Sequence, residues 1–191
     1  MEILDAGSHN PLEGGQTFPL RFLLIRTLWD LTWLLLGAWT PPPFAAWRRL
    51  ILRLFGAKVS PTALVYGSTR IWYPGHLELG DYCQIGPRAT LYTMAKITID
   101  DYAIVSQGAH LCTGSHDIES AYFQTIAKPI RIKTRAWVAA DAFVGPGVVV
   151  GEGAVLGACG VAFRDLEPWT VYAGNPAKLI KLRKVRFPDA G

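Results

Sequence analysis

The feature that most constrains this chain is a strict period of six between Ile132 and Ala162. Ile132, Val138, Val144, Val150 and Leu156 each open a block of six, and Ala162 opens the next. Gly145, Gly151 and Gly157 follow three of these openers, and the fifth place is held by Ala136, Ala142, Val148, Ala154 and Gly160. A helix needs a period near 3.6 and a strand a period of 2. A period of six fits neither alone. It fits short strands joined by tight corners, with each hexad as one side of a triangular coil and its opener pointing at the axis. The expected fold class is therefore mainly β, a parallel β-helix.

The pattern continues upstream in shorter runs. Val65, Ile71 and Leu77 are six apart; Leu79, Ile85, Leu91 and Ile97 resume after a slip of two; Ile99, Val105 and Leu111 resume after another. Between Gly114 and Pro129 the repeat stops, and a long loop that interrupts a regular scaffold is a common place for function. The expected organisation is an N-terminal region 1–58, a coil 59–172 with an insertion 114–129, and a basic segment 173–191.

Before the coil, Met1 to Pro19 reads as a polar arm, without the basic start and small-residue cleavage site of a signal peptide. Leu20 to Trp39 is a very apolar helix with Arg26 and Asp30 one turn apart on a narrow polar stripe. Two mid-segment charges, each costing roughly 2.5–3.5 kcal/mol on insertion, argue against a membrane span. The expectation is packing on the coil or lying at a membrane surface. Pro41, Pro42 and Pro43 end this helix. Phe44 to Phe55 predicts a second, amphipathic helix with Arg48, Arg49 and Arg53 outward. Lys178, Lys181, Arg183, Lys184 and Arg186 cluster near the end of a chain of net charge +4, which reads as a solvated tail or an anion site. Cys83, Cys112 and Cys159 form no CxxC pair and are expected as buried free thiols in a reducing compartment.

Candidate chemistry is sparse. His116, in CTGSHD at the mouth of the interruption, has a side chain whose ordinary pKa lies near working pH, as a general base requires. His76, His110 and His116 could serve as three zinc ligands, but a spacing of six sets His110 and His116 on successive sides of a coil. A Cys112–His116 nucleophile pair is a further alternative. No P-loop or dinucleotide fingerprint is present.

The hexapeptide repeat, CTGSHD, AWVAADAFVGPGVVVGEGAVLGA and AGNPAK together resemble the left-handed β-helix O-acetyltransferases. LYTMAKITI, SQGAHLCTGSHD and AGNPAKLIKLR are similar to the colanic acid and exopolysaccharide branch, in which Asn often stands at the position of Thr93. The resemblance covers nearly the whole chain and implies a left-handed coil, a homotrimer and transfer of an acetyl group from acetyl-CoA, as co-substrate, to a sugar hydroxyl. It implies His116 as base, the Ala140 N–H for the oxyanion and Trp137 as a wall. Asp117, Glu119 or a main-chain carbonyl would orient the imidazole. Ala140, Ala158, Phe163, Arg164, Lys178 and Lys181 would bind coenzyme A. The implied acceptor is a sugar or lipid-linked oligosaccharide, with no metal and no nucleic-acid partner. The implied location is cytoplasmic, with possible peripheral contact at the inner membrane face. Rival readings are a zinc-dependent, carbonic-anhydrase-like hydratase on the same fold and a non-catalytic structural β-helix.

Overall fold

The computed structural model describes residues 3–185. Its body is a three-sided parallel coil. The first face stacks Lys58–Val59, Leu77–Leu79, Ile97–Ile99, Ile130–Ile132 and Val149–Val150. The second stacks Leu64–Val65, Gln84–Ile85, Ile104–Val105, Trp137–Val138, Val155–Leu156 and Thr170–Ala173, closed by the antiparallel strand Lys178–Leu182. The third stacks Arg70–Ile71, Thr90–Tyr92, His110–Cys112, Phe143–Val144 and Val161–Ala162. The hexad openers fill the axis: Ile85, Leu91, Ile99, Leu111, Val138 and Val150 are all fully buried. Ala63, Cys83, Ala103, Ala136 and Ala154 stack inside the corner between first and second faces, where only small side chains fit.

The slips of two in the early repeat have one location. Leu79 stacks on Ile99, 20 positions on, whereas Ile132 stacks on Val150, 18 positions on. The surplus lies where the third face turns into the first. Buried threonines replace the strand ladder there. The Thr93 hydroxyl accepts from the Tyr73 N–H at 2.9 Å and donates to the Tyr73 carbonyl at 2.7 Å. Thr113 does the same between the Ala95 N–H (2.9 Å) and the Tyr92 carbonyl (2.6 Å). The same corner, one turn later, carries the interruption. It is an antiparallel hairpin of Gly114–His116 and Thr125–Ala127.

A parallel coil leaves a row of open carbonyls at its first turn. The N–H groups of Leu64, Tyr66, Arg70 and Trp72 donate onward to the second turn, so the carbonyls of the first turn face the other way. Unpaired backbone of this kind is costly to bury and invites edge pairing when exposed. The N-terminal helices α1 (Leu20–Thr32) and α2 (Ala45–Leu54) cap it. Trp29 Nε1 donates to the Ile71 carbonyl (2.7 Å) and Trp33 Nε1 to that of Thr69 (3.0 Å). Arg48 Nε donates to Val65 (2.6 Å), Arg49 Nη1 to Ala63 (2.9 Å), and Arg53 Nε and Nη2 to Val59 (2.9 and 2.6 Å).

This arrangement overturns the expected orientation of α2. Its arginines face the coil, and Arg48 is fully buried. The other Arg48 nitrogens donate to Thr40, Pro41 and Pro42 carbonyls, so the guanidinium also ties down the connection from α1. Trp47, Leu50 and Leu54 face outward instead. The preference of carbonyl oxygens for a charged, forked donor outweighs the burial of a few aliphatic side chains. The apolar helix is also not one α-helix to Trp39. After Thr32 it widens into a π-turn, Trp33–Gly37, whose Gly37 has room for no side chain because the Trp33 ring lies on it. No helix among the described residues is long and apolar enough to cross a membrane.

The cysteine expectation holds only in part. Cys83 is buried inside the corner between first and second faces, where burial pushes its thiol up to about 12. Cys112 is half-buried and Cys159 exposed, because the corner holding Cys159 turns its side chain outward at φ 56°.

Candidate active site

His116 ends the first hairpin strand, at the rim of a cavity of about 210 Å³ lined by Thr17, Phe18, Tyr92, Met94, Ser115 and Thr125. Gly114 makes the close approach possible. A Cβ there would stand 2.4 Å from Met94 Sδ and 2.8 Å from the Tyr92 ring. The imidazole stacks on the Phe123 ring with centroids 5.0 Å apart, and its Nδ1 lies 2.9 Å from the Phe123 carbonyl oxygen. A carbonyl can only accept, so Nδ1 carries the hydrogen and the Nε2 lone pair is free. That is the tautomer a general base needs. The main-chain carbonyl is thus what the ring meets. Asp117 Oδ1 instead accepts from the Glu119 N–H at 3.0 Å, and neither carboxylate is hydrogen-bonded to the imidazole.

Phe123 supplies this carbonyl from the left-handed region, at φ 55°, which a bulky residue adopts only where its surroundings hold it there. Part of that support comes from the polar arm. Gln124 Oε1 accepts from the Ala6 N–H (2.7 Å), Gln124 Nε2 donates to the Leu4 carbonyl (3.2 Å), and Leu4 N–H donates to Thr17 (3.0 Å). The arm is therefore docked on the hairpin. Neither Phe123 nor Gln124 was singled out by the sequence. Nothing in a glutamine within a broken repeat signals a partner more than a hundred residues away.

The remaining expected site residues fall into separate places. Trp137 lies on the second face, with its Nε1 donating to Ser106 Oγ at 2.8 Å. Ala140 and Ala158 lie one turn apart at the corner between second and third faces, where the Cys159 N–H donates to the Ala140 carbonyl (2.9 Å). Phe163, Arg164 and Lys178 line one cavity of about 500 Å³ at the far end of the coil. Lys181 is exposed on the closing strand, opposite Val171, and does not line that cavity. The hairpin carrying His116 leaves from the corner between third and first faces, so a single chain does not bring Ala140 beside His116. Thr93 is buried with its hydroxyl engaged at the corner.

Among the described residues no group of three His, Cys, Asp or Glu is placed to hold a metal ion. His76 Nδ1 meets the Thr93 carbonyl at 3.0 Å, and His110 packs edge-on against Phe143. Burial lowers the pKa of both imidazoles.

No family model matches the chain. A curated relative, the putative colanic acid biosynthesis acetyltransferase WcaF of Escherichia coli (strain K12), is 43% identical over 156 residues, covering 82% of this chain and 86% of the relative. Among solved structures, a galactoside acetyltransferase in complex with coenzyme A superposes with a TM-score of 0.80 over 97% of each chain at 19% identity. A hexapeptide-repeat acetyltransferase of Vibrio cholerae complexed with acetyl coenzyme A gives 0.77 over 95% of this chain and 100% of that one at 22% identity. The two structures share the fold, and the E. coli relative carries the kinship: this chain belongs to the hexapeptide-repeat acetyltransferases, in the branch of the colanic acid biosynthesis enzymes.

Proposed function

We propose that this acetyltransferase moves the acetyl group of acetyl-CoA to a sugar hydroxyl during the building of a surface polysaccharide. The observation that carries the reading is the His116 imidazole, held through Nδ1 by the Phe123 carbonyl at the rim of a small cavity. Nε2 takes the hydroxyl proton as the oxygen attacks the thioester carbonyl. The C–O bond forms, the C–S bond breaks, and the proton passes to the departing thiolate. Both substrates are held together, so proximity supplies much of the rate. The Ala140 N–H steadies the developing oxyanion.

The separation of His116 from Ala140 and Trp137 around the coil supports a site completed between two copies, one supplying the base and the other the oxyanion donor and coenzyme A track. Three copies closing such a ring would form the homotrimer that the family resemblance implies. In the coenzyme A track we place Ala158, Phe163, Arg164 and Lys178, with Lys181 at its outer end. His116→Ala is expected to lower turnover roughly 10²–10⁴-fold while leaving acetyl-CoA binding nearly intact. Turnover within threefold of the parent would remove His116 from the chemistry.

The outward faces of α1 and α2 carry a second part of the reading. Leu24, Leu28, Leu31 and Leu35 form one stripe on the side of the apolar helix away from the coil, and α2 also exposes Trp47 and Leu54. A patch of this kind is larger than a soluble surface leaves bare. With Arg21 at its border it suits the inner membrane face. Flotation with anionic vesicles checks this: the parent protein is expected to rise with the lipid, and a Leu28→Glu, Leu35→Glu variant to remain below.

A further inference from the structure

His116 is carried by a hairpin that has little packing of its own. His116, Asp117, Ile118 and Glu119 are exposed, as are Ala121, Tyr122 and Phe123. Bonds within the tip, from the Phe123 N–H to the Ser120 carbonyl (3.0 Å) and from the Asp117 N–H to the Gln124 carbonyl (2.8 Å), shape it without tying it to the coil. Gln124 is the first residue after the tip to turn inward. Among the described residues, the only hydrogen bonds that leave 115–124 for a segment outside the hairpin come from its carboxamide. Oε1 accepts from the Ala6 N–H (2.7 Å) and Nε2 donates to the Leu4 carbonyl (3.2 Å). Nε2 also donates to the Thr125 carbonyl at 3.0 Å, which fixes which way the amide faces.

The arm that Gln124 grips is folded back on itself and anchored. The Leu4 N–H donates to the Thr17 carbonyl (3.0 Å), so a grip on Leu4 also sets Thr17 and Phe18. Phe18 packs on Phe22 of α1 and on Trp72 of the coil, with ring centroids 5.4 Å apart in each pair. Thr17 and Phe18 line the cavity that His116 lines. One carboxamide therefore connects the peptide that orients the imidazole with the segment that walls the cavity beside it. We infer that Gln124 is a positioning residue of the acetyl transfer: its clasp on the arm holds the Phe123 carbonyl against His116 Nδ1, which keeps the ring hydrogen there and leaves Nε2 to act as base. This rests on the acetyltransferase reading with His116 as its base. With the clasp broken, the Phe123 peptide is released from φ 55° toward ordinary backbone angles. Its carbonyl then leaves Nδ1, and the ring hydrogen is free to sit on either nitrogen. A clasp that only stabilised the arm would leave that hydrogen where it is.

The test uses the full chain, isotope-labelled for nitrogen NMR at about pH 8.5, above the ordinary imidazole range. With four histidines in the chain, His116 is assigned by its loss in His116→Ala. Ring nitrogens with and without hydrogen differ widely in shift, so the tautomer is read directly and needs no acceptor. Two variants break the clasp from opposite sides. Gln124→Met keeps a side chain of similar length without the amide; Ala6→Pro removes the N–H of the arm and leaves the hairpin sequence intact. In both, the His116 signals are expected to move from the Nδ1–H form to a mixture. With p-nitrophenyl β-D-galactoside as probe acceptor, kcat is expected to fall about 10–100-fold while the KM for acetyl-CoA stays within about twofold, because the groups proposed to hold it lie elsewhere on the coil. An Nδ1–H form unchanged in both variants, even with a lowered thermal midpoint, overturns the positioning role. A kcat within about twofold of the parent overturns it as well. Where the parent does not acetylate this probe, the tautomer decides alone; where one variant does not fold, the other decides by the same signal. If the parent binds no acetyl-CoA, it is the acetyltransferase reading that fails, and the tautomer still reports what Gln124 does for the ring.

Discussion

The coil and its helical cap follow opposite rules. In the coil the aliphatic openers point inward, and charged side chains such as Arg131 and Lys58 point outward. In the cap, α2 turns three arginines toward the protein and presents Trp47, Leu50 and Leu54 to the outside. The difference lies in what each region covers. The coil surrounds an axis lined only by side chains, so hydrophobic burial decides which way each residue points. The cap covers a row of backbone carbonyls, and an unpaired buried carbonyl costs about 1–3 kcal/mol. Over the first turn of a parallel coil, donors matter more than carbon.

Substitutions that treat the two regions alike break this comparison most severely. Arg48→Met keeps much of the apolar stem and removes every donor, leaving carbonyls of Val65, Thr40, Pro41 and Pro42 without their partner. The expected loss is about 3 kcal/mol or more on chemical denaturation. Arg48→Lys is expected to recover only part of it, because one ammonium cannot span a fan of carbonyls. A loss below about 1 kcal/mol would mean that water can satisfy that edge.

Leucine truncation gives the next largest contrast. Leu111→Ala, on the axis, is expected to cost about 2–5 kcal/mol. Leu54→Ala, at 75% exposure on α2, is expected to change stability by less than about 0.5 kcal/mol. Equal effects at the two positions would show that a partner subunit buries the outer face of α2.

The smallest effect separates the regions by pH. Burial lowers the pKa of His110, on the outer side of the third face, and of His76, at a corner. In both the fold favours the neutral imidazole. As pH falls through the ordinary imidazole value near 6.5, the unfolded chain takes up protons first, so stability present above that value is lost on acidification. Thermal midpoints measured from pH 7.5 to 5 are expected to decline, and His110→Gln to reduce the slope without removing the share due to His76.

The period of six was enough to derive the three-sided coil, its inward residues and the position of the interruption. A solenoid is built from nearest-neighbour contacts, so each hexad carries its own instructions. Even the two-residue slips were visible as interruptions in register, although their common cause, a threonine-paired corner, was not. His116 stood out as a candidate because it sits where the repeat breaks. Three things were decided only by tertiary structure. The inward turn of Arg48, Arg49 and Arg53 depends on carbonyls contributed by a different segment, and an amphipathic pattern read within α2 alone points them the wrong way. The carbonyl that orients His116 belongs to Phe123, across a hairpin whose shape the broken repeat does not encode. The clasp of Gln124 on Leu4 and Ala6 joins the N-terminal arm to a hairpin more than a hundred residues on. Local periodicity reports what a residue does relative to its own neighbours; these contacts join segments that only the folded chain brings within hydrogen-bonding distance.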